Sequence, residues 1–244
     1  MKHFKTIIGA LAVFAAVSCA KTQQDGCGRI RFEVAGDYNV TDVTRSNVSD
    51  YTALPSPADF NIDVLDASSS TVWTGKISEW DSATVLPAGS YSVKASYGAL
   101  EDEGFDKPYF YGSQTFTVTG GATASVSIPV SLGNTVVLVS CTENFRKYYS
   151  DYTFTLSRNG AEIVTFVKDD TRAAFVDGYR FTVSGAIVGP TGKTYSFSSD
   201  YQTMKEATAY TFVFDASNVG GATITISFND TVETIDLGDI ELND

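Results

Sequence analysis

Apolar side chains in this chain recur at every second position, segment after segment, and no stretch keeps a helical spacing for long. Ile30, Phe32 and Val34 alternate with Arg29, Arg31 and Glu33. Phe60, Ile62 and Val64 share a face, as do Tyr91, Val93 and Ala95, and Phe116 and Val118 lead through Gly120-Gly121 to Ala124, Val126, Ile128 and Val130. Successive side chains of a strand point to opposite faces, so this pattern specifies half-buried antiparallel strands. With turn residues roughly every 8–12 positions, the expected class is all-β and the architecture a sandwich. The 43% hydrophobic content, rich in Tyr and Phe, is enough to fill such a core and excludes wholesale disorder.

The second half follows the same plan. Tyr152, Phe154 and Leu156 precede an Asn159-Gly160 turn and then Ile163, Thr165 and Val167. Asp177-Gly178 introduces Tyr179, Phe181 and Val183, and Pro190-Thr191-Gly192 introduces Tyr195 and Phe197. Tyr210, Phe212 and Phe214 lead through Gly220-Gly221 to a last hairpin. Both halves run strand, hairpin, Gly-Tyr or Gly-x-Tyr entry and Gly-Gly hairpin, a weak internal repeat that implies two tandem β-sandwich domains, 28–132 and 133–244. Residues 35–57 are rich in Thr, Ser, Asn and Asp and read as a loop or irregular edge. Short helices are expected at 143–150, where Phe145, Tyr148 and Tyr149 would cover an open end of the second sandwich, and at 77–80.

Residues 1–18 read as an export signal: Lys2 and Lys5 precede an apolar run too short to span a bilayer core. The run ends Ala16-Val17-Ser18-Cys19, which resembles a lipobox. Its cysteine would be diacylated and become the first residue of the mature chain; the alternative is an ordinary secretory signal cut near Ala20. Residues 19–27 then form a polar tether. Removing 1–18 takes away two of the 17 cations, so the charge moves from −12 to 15 − 29 = −14, and the chain's one histidine, His3, is lost.

That acidity argues against nucleic-acid binding, which depends on clustered Lys and Arg. Without histidine no Ser-His-Asp or Cys-His arrangement can form, and the 29 acids sit in no hydrolase motif. The expectation is a non-enzymatic protein with no cofactor. Two thiols, Cys27 and Cys141, remain after lipidation of Cys19; they form either a disulfide or a pair of unbridged cysteines, and without histidine they make no zinc site.

The candidate ligand-contact residues are aromatic: Trp73, Trp80, Tyr97, Tyr109 and Tyr111. Glycan modules stack sugars on exposed rings of this kind, whereas sheet packing is the alternative role. Residues 98–112 form the most unusual segment, with Glu101, Asp102, Glu103 and Asp106 ahead of Pro108-Tyr109-Phe110-Tyr111. They fit either a cation- and sugar-binding loop or a solvated acidic turn before a strand; the spacing matches no EF-hand. Asp81-Ser82-Ala83 and Asp230-Thr231-Val232 resemble an O-glycosylation sequon, making Ser82 and Thr231 candidate acceptors.

The lipobox, Leu86-Pro87-Ala88-Gly89-Ser90-Tyr91-Ser92-Val93, Pro108-Tyr109-Phe110-Tyr111-Gly112-Ser113-Gln114 and Tyr149-Ser150-Asp151-Tyr152 together resemble one family. It comprises Bacteroidetes lipoproteins with a domain of unknown function, related to the fimbrillin-like pilus and cell-adhesion proteins. The resemblance spans nearly all of the mature chain. It implies two transthyretin-like or immunoglobulin-like sandwiches, lipid-anchored in the outer membrane and facing the cell surface, with an adhesive or fimbria-associated role. It also raises Thr44-Arg45-Ser46 as a candidate processing site, the alternative being an ordinary surface arginine: cleavage after Arg45 would free a groove for strand addition by another pilus subunit. The alternative function is glycan binding within a polysaccharide uptake system, with host or dietary glycans as partners.

Overall fold

The computed structural model describes residues 26–41, 46–216, 223–228 and 231–236, the last two segments by backbone alone. The first half of the described chain contributes β1 (Cys27–Asp37), β2 (Asn39–Val40), β3 (Ser46–Asn47), β4 (Asn61–Asp66), β5 (Thr71–Lys76), β6 (Val85–Pro87), β7 (Gly89–Tyr97), β8 (Gly104–Phe105), β9 (Phe110–Val118) and β10 (Thr123–Leu132). The second contributes β11 (Thr135–Cys141), α1 (Glu143–Tyr148), β12 (Asp151–Arg158), β13 (Ala161–Phe166), β14 (Ala174–Val176), β15 (Arg180–Val188), β16 (Thr194–Gln202), β17 (Ala209–Ala216), β18 (Thr223–Phe228) and β19 (Thr231–Asp236). The molecule is an all-β sandwich protein.

In the first half, seven strands run in the order β5-β4-β7-β9-β10-β1-β6. β9 follows β7 along its whole length, from Val118 opposite Gly89 to Phe110 opposite Tyr97. It meets β10 only through Phe110, Tyr111 and Gly112, opposite Leu132, Ser131 and Val130. The sheet therefore folds at this corner into two layers, β5-β4-β7-β9 and β10-β1-β6. Gly112 permits the fold, since a Cβ there would lie 1.8 Å from the Pro129 carbonyl oxygen. Ile30 and Phe32 from one layer meet Ile62, Val64 and Val93 from the other in a shared core.

The second half repeats this connectivity. β13-β12-β15-β16 corresponds to β5-β4-β7-β9, and β14-β11-β17 corresponds to β6-β1-β10. β1 runs parallel to β10, and β11 runs parallel to β17. The layers face each other through Phe154 of β12 and Phe214 of β17, stacked with ring centroids 3.8 Å apart. Two additions distinguish this half: β18 and β19 extend the sheet beyond β17, and β8, from the first half, pairs with β14.

Between the halves, the β17-β11-β14 layer belongs to both cores. Val136 packs in the first cluster and its neighbour Val137 in the second; Phe175 packs in the first, with Ala174 and Val176 in the second. Strands covered on both faces lose the apolar–polar alternation, and Thr135-Val136-Val137-Leu138-Val139 is such a run. α1 closes the end of the second sandwich. Its cap, Thr142, accepts from the Phe145 amide at 3.2 Å, and Phe145 and Tyr149 are fully buried, with Phe145 packed on Tyr149, Tyr152 and Phe214. A 3-10 turn, Ile77–Glu79, stands where the other short helix is expected.

Two expected faces are corrected. In β13 the buried residues are Val164 and Phe166, not Ile163, Thr165 and Val167; Val167 is 55% exposed. Leu156 pairs with Val164 and Ser157 with Glu162, so Ile163 is the extra residue of a β-bulge and the face flips there. Tyr179 lies before β15 on its entry turn and is 79% exposed, while Phe181 and Val183 are buried as expected.

Candidate functional site

The segment 98–112 crosses from the first sandwich to the second. Gly104 and Phe105 pair with Phe175 and Ala174, adding β8 to the edge of the second sandwich's larger sheet. Phe105 meets Phe166 edge-on at 5.1 Å and lies beneath the Arg172 guanidinium, 3.8 Å from its ring centre. Glu103 accepts from the Asp177 amide at 2.7 Å and pairs with Arg158, whose other nitrogens donate to the Asp177 and Arg180 carbonyl oxygens. The Glu103 side chain is 10% exposed and that of Arg158 24%, so the ion pair is largely withdrawn from water. The acidic segment is therefore not a purely solvated turn, since its Glu103 carboxylate is held by Arg158 and the Asp177 amide. Among the described residues no cluster of three or more His, Cys, Asp or Glu is placed to hold a metal ion.

Beyond this clasp the same segment delivers Tyr109 and Tyr111 to the outer surface of the junction. Their rings stack 5.5 Å apart with planes 9° from parallel. Both rest on Gly133, where a Cβ would lie 2.7 Å from Tyr109 and 2.9 Å from Tyr111. The Tyr111 hydroxyl donates to Glu206 Oε2 at 2.9 Å, across the two sandwiches. The Tyr109 amide donates to Asn134 Oδ1, and the Gly133 amide to the Tyr109 carbonyl. Tyr111 is 41% exposed and Tyr109 half-buried. Burial, then the Glu101 and Glu206 carboxylates, hold the Tyr109 phenol above its ordinary pKa; the hydrogen bond to Glu206 raises that of Tyr111.

The remaining aromatics are not gathered with this pair. The Trp80 indole donates to the Ile30 carbonyl at 2.9 Å, with its ring edge-on to Phe32 at 4.9 Å and to Trp73 at 5.1 Å. Tyr97 packs on Phe60. Trp73, Trp80 and Tyr97 are half-buried against the first core and serve packing, so the five do not form one sugar-contact surface.

The family comparison matches residues 26–243 to DUF4493, a domain of unknown function. The chain belongs to the DUF4493 family. No curated protein matches it. Among solved structures it is similar to a candidate cell adhesion protein from Bacteroides ovatus ATCC 8483, at 13% identity and a TM-score of 0.47, covering 88% of this chain and 100% of the other. It is also similar to candidate polysaccharide binding proteins (DUF1812) from Bacteroides thetaiotaomicron VPI-5482, at 13% identity and a TM-score of 0.45, covering 85% and 98%. A candidate adhesin from Bacteroides ovatus matches at 10% identity and a TM-score of 0.42, covering 86% and 96%.

The other candidate positions of this DUF4493 chain are spread out. Cys27 and Cys141 are not bridged: Cys141 is a free, buried thiol. Cys27 pairs with Pro87 at the far end of the first sandwich, whereas Cys141 packs in the second core, where burial pushes its thiol up to about 11. Ser82 is exposed on a turn held by the Asp81 carboxylate. Thr231 opens β19. Cys19 and Arg45 lie outside the described residues. An open depression of about 390 Å³ lies on the outer part of the first sandwich, lined by Asp66, Ser69, Tyr91, Ser92, Phe116 and Thr117. The Asp66 carboxyl there is held below its ordinary pKa by hydrogen bonds from Ser68 and Ser70.

Sequence reasoning missed Arg158, Asn134 and Glu206. Arg158 precedes an Asn-Gly turn and Glu206 lies in a polar loop, so both carry the local signature of surface residues. No periodicity marks a residue whose partner is 55 or 95 positions away.

Proposed function

We propose that this chain is an outer-membrane, surface-anchored lipoprotein that serves cell adhesion as a non-enzymatic binding module. The parallel pairing of β1 with β10 carries the reading. β10 runs toward the junction, so parallel β1 begins at the end of the first sandwich remote from the second. Cys27 therefore sits at one pole, and the 27 − 19 = 8 residues back to Cys19 reach at most about 30 Å. Acylation of Cys19 would hold that pole near the membrane and direct the junction and second sandwich outward.

A second reading, glycan capture for a polysaccharide uptake system, is favoured by the stacked Tyr109–Tyr111 pair. Either reading places the acidic surface outside the cell, with no nucleic-acid partner. A fimbria-associated role adds one requirement, cleavage after Arg45. That cleavage would remove β1, whose Ile30 and Phe32 are buried in the first core, and open a strand-sized groove along β10.

Labelling cells with an alkyne fatty acid tests the anchor. Wild-type protein is expected to take up label and to be shaved from intact cells by protease; C19A is expected to lose both the label and the membrane. Cell-bound C19A without lipid would contradict the reading. N-terminal sequencing of surface material starting at Ser46 would select the polymerising role, and a lipidated Cys19 start the stand-alone adhesin.

A further inference from the structure

We propose that Tyr109, Tyr111 and Glu206 form a saccharide-binding platform at the junction, on which the open face of Tyr111 stacks against a neutral or amino pyranose. One face of Tyr111 lies against Tyr109, one ring edge rests on Gly133, and its hydroxyl is held by Glu206. The surface it leaves to solvent is thus a flat aromatic face whose orientation is set before any ligand arrives. Rigid tyrosines supply contact area at small entropic cost.

The loop bearing Glu206 is equally constrained. Thr203 and Ala207 stand at its two ends in the left-handed region, with φ of 61° and 48°. A β-branched residue disfavours this conformation, and it persists only where surrounding contacts enforce it. Here they do: Met204 donates to the Gly178 carbonyl at 2.8 Å, Thr135 Oγ1 to the Lys205 carbonyl at 2.9 Å, and the Ala207 amide to the Asn134 carbonyl at 2.9 Å. Such strain is characteristic of ligand clamps.

The chemistry around the ring selects the ligand. The residues set beside Tyr111 are polar: Ser96 and Ser131 lie opposite it in the neighbouring strands and Glu206 holds its hydroxyl, so the ring lacks the apolar surround that excludes water at a protein–protein hot spot. A sugar offers what this surface matches: C–H groups for the ring and hydroxyls for the flanking side chains. Glu206 Oε2 holds Tyr111, which leaves Oε1 to accept from a ligand hydroxyl. Glu101 and Glu206 beside the rings, on a chain of net charge −12, disfavour uronic and sulfated sugars.

The inference deepens the glycan-capture reading and rests on the adhesive reading only for where the platform is displayed. A printed glycan array, followed by calorimetric titration of the purified chain with laminarihexaose, mannohexaose, chitohexaose and hexagalacturonate, tests it. Binding of a neutral or amino glycan is expected, with the uronate weaker. Y111A should weaken it about tenfold or more. Y111F, which keeps the ring, should stay within about threefold, and E206Q should lose roughly two- to fivefold. Melting temperatures of the variants separate lost binding from lost folding, and the loss expected in E206Q carries the comparison if Y111A unfolds. Absence of binding across the array, binding unchanged in Y111A, or capture of a protein partner through Tyr111 without any glycan binding would overturn the proposal. Loss of the surface anchor with intact glycan binding would overturn the adhesive reading instead.

Discussion

The two sandwiches share one connectivity but close it differently. The first joins its layers at the β9–β10 corner, where Gly112 lets the backbones touch. The second leaves β16 and β17 unpaired with each other, extends past β17 with β18 and β19, and takes β8 from its neighbour. The first core is edged by half-buried rings, Trp73, Trp80 and Phe116, whereas the second centres on Phe154, Phe166, Phe181, Phe212 and Phe214, all at 0 or 1% exposure. The same plan can thus be stabilised by a folded corner or by a dense aromatic interior. What the second lacks at its edge, the first supplies in trans through β8.

This contrast makes ranked predictions. Phe154→Ala should cost about 3–5 kcal/mol, because it empties the centre of a packed aromatic cluster, and Phe116→Ala roughly half as much. Urea midpoints measure both; equal costs would erase the distinction between the cores. Glu103→Ala should cost about 3 kcal/mol by leaving Arg158 largely buried without its partner. Proteolysis at the junction should rise with it, and a stable, protease-resistant variant would show that β8 adheres without its ion pair. Gly112→Ala should destabilise by about 1–3 kcal/mol, because the corner must open to admit a methyl group. Faster hydrogen exchange confined to β9 and β10 is the expected signature; the second sandwich has no equivalent corner to disturb. The smallest effect runs the other way. The Tyr149 hydroxyl is buried and has no hydrogen-bond partner among the described residues. Tyr149→Phe should therefore leave stability unchanged or raise it by up to about 1 kcal/mol, read from the melting temperature.

Much of this was legible in advance where one strand face meets one core. Ile30 and Phe32, Ile62 and Val64, and Tyr152, Phe154 and Leu156 all bury the face their alternation indicates. α1 was legible too, from Phe145 and Tyr149 in a segment without strand alternation. The reading fails where a partner is distant or a register slips. Ile163 sits in a bulge that depends on how β12 meets β13, and alternation alone cannot place it. Gly104 and Phe105 form only a two-residue strand, and nothing local reveals that it pairs with β14, about 70 residues on. Of the candidate site, Tyr109 and Tyr111 were identifiable as aromatics in an unusual segment. Their stacking and the Gly133 seat depend on how the β9–β10 corner closes, and the Glu206 tether exists only once both sandwiches have folded.

That dependence gives the central claim, that the two sandwiches form one locked unit sharing the β17-β11-β14 layer. Scanning calorimetry of the full chain tests it most directly. A single transition whose calorimetric and van't Hoff enthalpies agree is predicted. Two separable transitions, with the Tyr109–Tyr111 environment unchanged through the first, would contradict it.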